Sequence, residues 1–221
     1  GVRLVGSEMS IRDSIRRPEG REALEALKPD LFVTAAFGQI LSAKVLAIPK
    51  LGTINVHASL LPEYRGSAPI NWCLINGETR TGVTTMMTDI GIDTGDMLLR
   101  DEVEIGPDEN AEELTERLSR VGAQTLLRTL KALENGTLTR TPQDESKSSY
   151  QPMLEKTLGC IDWKKPAQSI HNLVRGVNPW PGAYTQMESG VLKVWKTALT
   201  EQKTDAPAGT IVKANGKEGL F

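Results

Sequence analysis

The stretch from Gly52 to Asp96, GTINVHASLLPEYRGSAPINWCLINGETRTGVTTMMTDIGIDTGD, constrains this chain more than any other. It holds two short apolar runs, Thr53–His57 and Gly82–Met87, β-branched or Met-rich as buried strands are. Between them, Pro69 suits the first turn of a helix reaching to about Ile75, because its missing N–H costs nothing there. Asn76-Gly77 then supplies a residue tolerant of positive φ to close that helix. Strand, helix and strand in this order predict an α/β fold.

The same stretch carries the candidate chemistry. Asn55 and His57 are one residue apart, so both side chains lie on the same face of a strand. Gly82–Met87 leads into Asp89-Ile90-Gly91-Ile92-Asp93-Thr94-Gly95-Asp96, a Gly-rich acidic loop. Open α/β sheets bind ligands beyond the carboxyl ends of their strands. An Asn, a His and an Asp converging there make a small acid–base site. Each alone has a plainer reading. A lone His near a strand end is usually structural, and Asp-Thr-Gly-Asp is ordinary turn chemistry.

Elsewhere the chain alternates strand and helix. Gly1–Val5 reads as a short strand and Ile11–Arg17 as a connection or short helix. Arg21–Leu27 is a good helix former, stopped by Pro29. The continuous apolar run Leu31–Ala36 predicts a parallel strand buried on both faces. Ser42–Ala47 reads as a short helix, and Asp96–Ile105 as a strand returning antiparallel to its neighbour. Asn110–Asn135 is the clearest helix, with Asn110 and Glu113 spaced as a capping box and Gly136 as its stop. Its predicted apolar stripe is Leu114, Leu118, Val121, Leu126, Leu130 and Leu133. Further on, Gly159–Trp163 reads as a short strand, and Pro166–Arg175 as a helix with Ile170, Leu173 and Val174 inward. His171 is placed at the surface or in a cap. Asn178–Tyr184 reads as a rigid packed loop, Val191–Ala198 as a strand, and Pro207–Phe221 as a first strand and hairpin.

Composition narrows the function classes. Among 221 residues, 39% are hydrophobic and 24% charged, as in a globular protein, and the net charge of -2 gives no global field for nucleic acid. Cys73 and Cys160 stand far apart, and with His57 and His171 as the two histidines no zinc-like spacing exists. Free thiols suit a reducing compartment, and no apolar run is long enough for a membrane span or a signal peptide. A cytoplasmic, metal-free monomer without membrane contact is expected.

The combination of Asn55, His57, Ser59-Leu60-Leu61-Pro62, Arg65-Gly66-Ser67-Ala68-Pro69-Ile70 and Asp93 resembles the folate-dependent formyltransferases. The resemblance extends from about Lys28 to about Thr200. It takes in Pro29–Val33, Ala36-Phe37-Gly38-Gln39-Ile40-Leu41 and Asn178-Pro179-Trp180-Pro181-Gly182-Ala183-Tyr184-Thr185, and is nearest to members acting on methionyl-tRNA. It implies a Rossmann-like, mostly parallel sheet flanked by helices, then the beginning of a small C-terminal β-barrel. On that reading residues 1–150 are the catalytic domain, 151–204 its extension and linker, and 205–221 the start of the barrel. The family's opening strand–turn–helix has no counterpart seen before Lys28, so the chain is expected to be part of a longer protein.

The resemblance implies transfer of formyl from 10-formyltetrahydrofolate to the amino group of methionine on initiator methionyl-tRNA. Such a reaction passes through a tetrahedral, oxyanionic species, which needs donors aimed at its oxygen and an exit for the amine proton. Asn55 offers an amide donor, His57 a proton relay, and Asp93 a partner that orients the ring. The three are expected to form one hydrogen-bonded cluster. Phe37, Gly38, Gln39, Ile40 and Leu41, with Ser59, Leu60, Leu61 and Pro62 and the Ile90-Gly91 loop through Asp93, would line the folate slot. Arg65 is a candidate for the tRNA end or for structural pairing. Lys164, Lys165 and Arg175 are candidates for phosphate contacts or surface charge. Trp180 is placed in a core rather than on a base. No activated nucleophile is seen: Cys73 lies inside a helix and Ser59 has no spare base. Two alternatives stay open, a sibling formylating a sugar amine or glycinamide ribonucleotide, and an inactive folate- or RNA-binding module.

Overall fold

The computed structural model describes Ile15, residues 17–217 and residues 219–221. The strand expected at Gly1–Val5, and most of the segment Ile11–Arg17, lie outside them. In chain order the elements used below begin α1 (Pro18–Ala26), β1 (Phe32–Ala35), α2 (Ala43–Leu46), β2 (Thr53–His57) and α3 (Pro69–Ile75). They continue β3 (Arg80–Met87), β4 (Met97–Glu104), α4 (Ala111–Glu134), α5 (Ala167–Gly176), β5 (Ala183–Met187) and β6 (Gly190–Val194). A terminal pair, β7 (Ala214–Asn215) and β8 (Gly219–Leu220), is antiparallel. The residues fall into two compact units. One comprises the described residues through Gly66 with Gly82–Glu102 and Arg120–Tyr150; the other comprises Ser67–Thr81, Val103–Ser119 and Gln151–Phe221.

The first unit is built on a four-stranded sheet in the order β1-β2-β3-β4. β1 and β2 are parallel, Phe32 opposite Thr53 and Ala35 opposite Val56. β2 and β3 are antiparallel, Ile54 opposite Met87 and His57 opposite Thr84. β4 runs back along β3, since the Met87 N–H donates to Asp96 while Gly82 sits against the Asp101 backbone. The α/β class is as expected, with parallel and antiparallel pairing both present among the described strands. β1 departs from the reading as a strand buried on both faces. It alternates half-buried and exposed residues, with Val33 44% exposed, because it is the edge of the described sheet.

Ile54, Leu61, Val83 and Met86 are buried in this unit. Each such side chain is worth about 1.5–3 kcal/mol by removal from water. Helix α4 is capped as its sequence predicts: Asn110 Oδ1 accepts from the Glu113 N–H, and Glu113 Oε2 accepts from the Asn110 N–H, both at 3.0 Å. Its buried line differs from the leucine stripe. Beyond Arg120 it runs through Gly122, Thr125 and Thr129, while Val121, Leu126, Leu130 and Leu133 are only half-buried. The reason is close approach. A Cβ on Gly122 would stand 3.1 Å from Val56 Cγ1 and 3.6 Å from Val83 Cγ1, so nothing larger fits without a shift. Thr125 donates to Asp101, and Thr129 shares a 2.7 Å hydrogen bond with Thr85 on β3. Burial raises the Asp101 pKa, but the hydrogen bonds from Thr125 and Arg128 outweigh it and hold the carboxyl below its ordinary range.

The second unit packs Ile161, Ile170, Val174, Val177 and Ala183 with Ile75 and Leu158 at the margin. Gly176 lets α5 close on α3, where Asn71 Nδ2 donates to the Gly176 carbonyl at 2.8 Å. β5 and β6 form an antiparallel hairpin. Four expectations need correction here. His171 is buried rather than at the surface, in contact with Thr197 Oγ1 at 2.9 Å and the Pro107 carbonyl at 3.2 Å. Arg175 is likewise buried, donating to Asn172 Oδ1 and to the carbonyls of Gly106 and Glu109. The carbonyl partners of both residues lie 64 to 69 positions away along the chain, beyond any local pattern. Gly159–Trp163 forms a single bridge, Cys160 to Tyr184, in place of a strand. Trp180 is 53% exposed, not in a core.

Candidate active site

Strand β2 sets the first two candidate residues. His57 is 6% exposed, and its Nε2 lies 2.9 Å from the Tyr64 carbonyl. A carbonyl only accepts, so Nε2 carries a proton and Nδ1 is the nitrogen left for other partners. The loop that brings Tyr64 there is tied down along its length. Ser59 Oγ donates to the Glu63 carbonyl at 2.7 Å, Thr84 Oγ1 donates to the Ser59 carbonyl at 2.7 Å, and the Tyr64 N–H donates to Ser149 Oγ at 2.8 Å. Asn55 Oδ1 accepts from Thr34 Oγ1 on β1 at 2.9 Å, which leaves its NH2 group as the donor for a ligand.

Asp93 arrives by a longer route than strand ends alone suggest. Antiparallel pairing puts the carboxyl end of β3 beside the start of β2, where the Thr88 N–H donates to the Thr53 carbonyl at 2.7 Å. The loop must therefore fold back over about 13 Å, four residues at roughly 3.3 Å each, to reach His57. It does so by binding itself. Asp89 Oδ1 accepts from the Gly91 N–H at 3.0 Å and from Thr94 Oγ1 at 2.7 Å. Side chains at Gly91 or Gly95 would overlap Thr94 Oγ1 or the Met87 carbonyl. Asp93 itself holds φ of +55°, where non-glycine residues are rare.

At the end of that path Asp93 Oδ2 stands 3.7 Å from His57 Nδ1 and accepts the Gly66 N–H at 2.9 Å. The imidazole and carboxylate thus face each other across a gap wider than a hydrogen bond. The single hydrogen-bonded cluster expected of the three residues is not what is seen: Asn55 is bonded to Thr34, and His57 and Asp93 are in electrostatic contact only. The imidazole and the carboxylate therefore face each other, and Asn55 stands two residues before His57 on the same strand.

The expected slot residues divide by exposure. Ile40 and Ile90 are 65% and 77% exposed, Gly38 turns at φ +71°, and Phe37, Gln39, Leu60, Pro62 and Gly91 are half-buried or exposed. Leu41, Ser59 and Leu61 are buried. Gln39 Oε1 is buried with no partner among the described residues. Arg65 is fully engaged, Nε on Gln143 Oε1 at 2.9 Å and both Nη groups on Glu145 at 2.9 and 2.8 Å. The Glu145 hydrogen bond pushes the Arg65 pKa up, and the same bond pulls the Glu145 carboxyl down. Gln143 was missed, since it sits in a polar segment without periodicity. Cys73 is no nucleophile: burial pushes its thiol up to about 11. Among the described residues no group of three His, Cys, Asp or Glu is arranged to hold a metal, and no helix is long and apolar enough to cross a membrane. An open concavity of about 470 Å³ beside Lys28, Lys44 and Lys50 includes none of the candidate residues.

Comparison with known proteins names the family. The formyl transferase model matches residues 3–130, and the formyl transferase C-terminal domain model matches residues 153–221. The chain belongs to the formyl transferase family. The match begins well before Lys28, where the resemblance was first legible. Methionyl-tRNA formyltransferase of Acetivibrio thermocellus is 53% identical over 207 residues, 93% of this chain and 66% of that relative. The Geobacter metallireducens enzyme of the same name is 53% identical over 207 residues, 94% of this chain and 66% of its own length. The chain thus spans just under two thirds of the curated relatives it matches. Among solved structures, HypX from Aquifex aeolicus in complex with tetrahydrofolic acid aligns with a TM-score of 0.71 at 21% identity, over 88% of this chain and 34% of that one. A sugar N-formyltransferase from a Shewanella species aligns at 0.71 and 19% identity, over 90% and 84%. At these identities the likeness is one of fold.

Proposed function

We propose that this formyl transferase moves a formyl group from 10-formyltetrahydrofolate to the amino group of methionine on initiator methionyl-tRNA, in the cytoplasm. The observation that carries the reading is the contact of His57 with Asp93 beside the free amide of Asn55, in a chain about half identical to enzymes named for that activity. The loops around the site fit the co-substrate. Ile40, Ile90 and Ile92 offer exposed apolar surface to a flat ring, and the unpartnered Gln39 Oε1 would accept an N–H from its edge.

When bound, 10-formyltetrahydrofolate supplies the formyl carbon. The chain's own residues have three tasks. The Asn55 NH2 and a proton on His57 Nδ1 donate to the formyl oxygen as it gains negative charge. Asp93, whose Oδ1 has no partner among the described residues, accepts the proton that the attacking amine sheds. His57 returns its proton to the departing folate nitrogen. Asn55, His57 and Asp93 are the residues assigned these roles, and no covalent formyl-enzyme is required.

The test supplies 10-formyltetrahydrofolate to the natural full-length protein with charged initiator tRNA, with an amino sugar, or alone, and follows folate release. Release with charged tRNA only is the result expected. Release with the amino sugar only shifts the acceptor to a sugar amine. No release in any arm removes the enzyme reading.

A further inference from the structure

We infer that Gln143 is a positioning residue for this reaction, holding the backbone on which Asp93 stands. The inference rests on the formyl-transfer reading and names a further residue of that same site. Gln143 Nε2 donates to the carbonyls of Asp93 and Gly95, each at 2.8 Å, so it grips the loop on both sides of Thr94. Its Oε1 accepts from Arg65 Nε at 2.9 Å, and Arg65 is clamped by Glu145. The residue after Arg65 is Gly66, whose N–H holds the Asp93 carboxylate at 2.9 Å. Gln143 therefore fixes the Asp93 main chain, the Arg65-Gly66 segment fixes its side chain, and the Arg65–Gln143 bond locks the two together.

The residue type follows from the chemistry. Two carbonyls and one guanidinium N–H need two donors and an acceptor in one small planar group, and a primary amide supplies them. A carboxylate has no donors for the carbonyls, and an ammonium has no acceptor for the arginine. The constraint is needed because Asp93 holds a left-handed backbone conformation, which persists only where surroundings over-determine it. The Ile90-Gly91 part of the loop is held separately, by Asp89. Loss of Gln143 should therefore move Asp93 more than the folate-lining residues, and act on kcat more than on the folate KM.

Two variants separate the contributions. Gln143→Glu keeps size and the acceptor for Arg65 while removing both donors; Gln143→Met removes all three bonds. In the natural full-length protein, each is expected to lower kcat by about 30-fold, within the ~100-fold that a 1 Å misplacement costs, with the folate KM within about threefold. Hydrogen exchange at the Gly66 amide should quicken by about tenfold, because its acceptor has moved. In an Asp93→Asn background Gln143→Met should change kcat by less than about threefold, since residues acting through one group do not add. Unchanged kcat with unchanged Gly66 exchange, or a full additional loss in the Asp93→Asn background, overturns the proposal. If Asp93→Asn alone keeps full kcat, the catalytic reading of Asp93 fails, while Gly66 exchange still decides whether Gln143 holds the loop. Should the Gln143 variants not fold, Glu145→Gln at the exposed outer end of the chain of bonds is expected to cost about threefold in kcat, and no loss there overturns the proposal.

Discussion

Gly122 is where helix and sheet come closest, and its replacement gives a graded test. An alanine there gains about 0.8–1 kcal/mol of helix propensity. Its Cβ would meet Val56 Cγ1 at 3.1 Å, so Val56 must yield by a few tenths of an ångström. Overpacking of this size costs about 1 kcal/mol, so Gly122→Ala is expected to fall within about 1 kcal/mol of the parent. Gly122→Val adds two methyl groups against Val56 and Val83, and should lose about 2–3 kcal/mol. At the usual scaling of 2–4 °C per kcal/mol for 150–250 residues, the melting temperature would drop by about 4–12 °C. Val56 lies between Asn55 and His57, so the valine variant should also lose turnover while the alanine variant keeps it. Thermal unfolding followed by circular dichroism, with formyl-transfer assays on the same samples, checks both. A Gly122→Val protein with unchanged melting temperature and turnover would mean that the helix does not press on β2.

Cys73 and Arg175 give two further tests. The Cys73 thiol is raised by burial from 9.0 to about 11, so the folded chain keeps a proton that the unfolded chain releases. Stability from this group is whole below pH 9 and falls as pH rises toward 11, by at most roughly 2.7 kcal/mol at 1.36 kcal/mol for each pH unit. Cys73→Ala should flatten that decline in urea titrations, and in the parent only the exposed Cys160 should react quickly with a thiol reagent at pH 8. Arg175→Met removes donors from Asn172 Oδ1, which keeps Gln168, from the Gly106 carbonyl, which keeps the Glu109 N–H, and from the Glu109 carbonyl, and should cost about 1–3 kcal/mol. It should not change the salt dependence of tRNA binding, whereas loss of a phosphate contact would reduce the slope by about 1.

The parts of the fold that were legible in sequence are those written locally. Asn110 and Glu113 are three residues apart and form the reciprocal pair that spacing allows. Pro69 opens its helix, and Asn55 and His57 share a strand face because alternation requires it. The parts that were not legible are long-range and polar. Gln143 meets Asp93 and Arg65 across 50 and 78 positions, with no periodicity to mark it. The leucines of α4 do not mark its buried line at Gly122, Thr125 and Thr129, because hydrophobicity is a poor guide where a helix lies so close that only small or hydroxyl side chains fit. The return path of Asp93 was hidden by the antiparallel pairing of β3, a tertiary choice that turn residues alone do not reveal.

In the proposed reaction His57 and Asp93 act as one unit beside Asn55. Single-turnover formyl transfer, at saturating 10-formyltetrahydrofolate, tests this in His57→Asn, Asp93→Asn and the double variant of the natural full-length protein. Each single change is expected to slow the step by about 100- to 1000-fold. The double variant should be no more than about threefold slower than the slower single, as for groups that work together. Near-parent rates in either single variant, or losses that multiply in the double, would contradict the pairing.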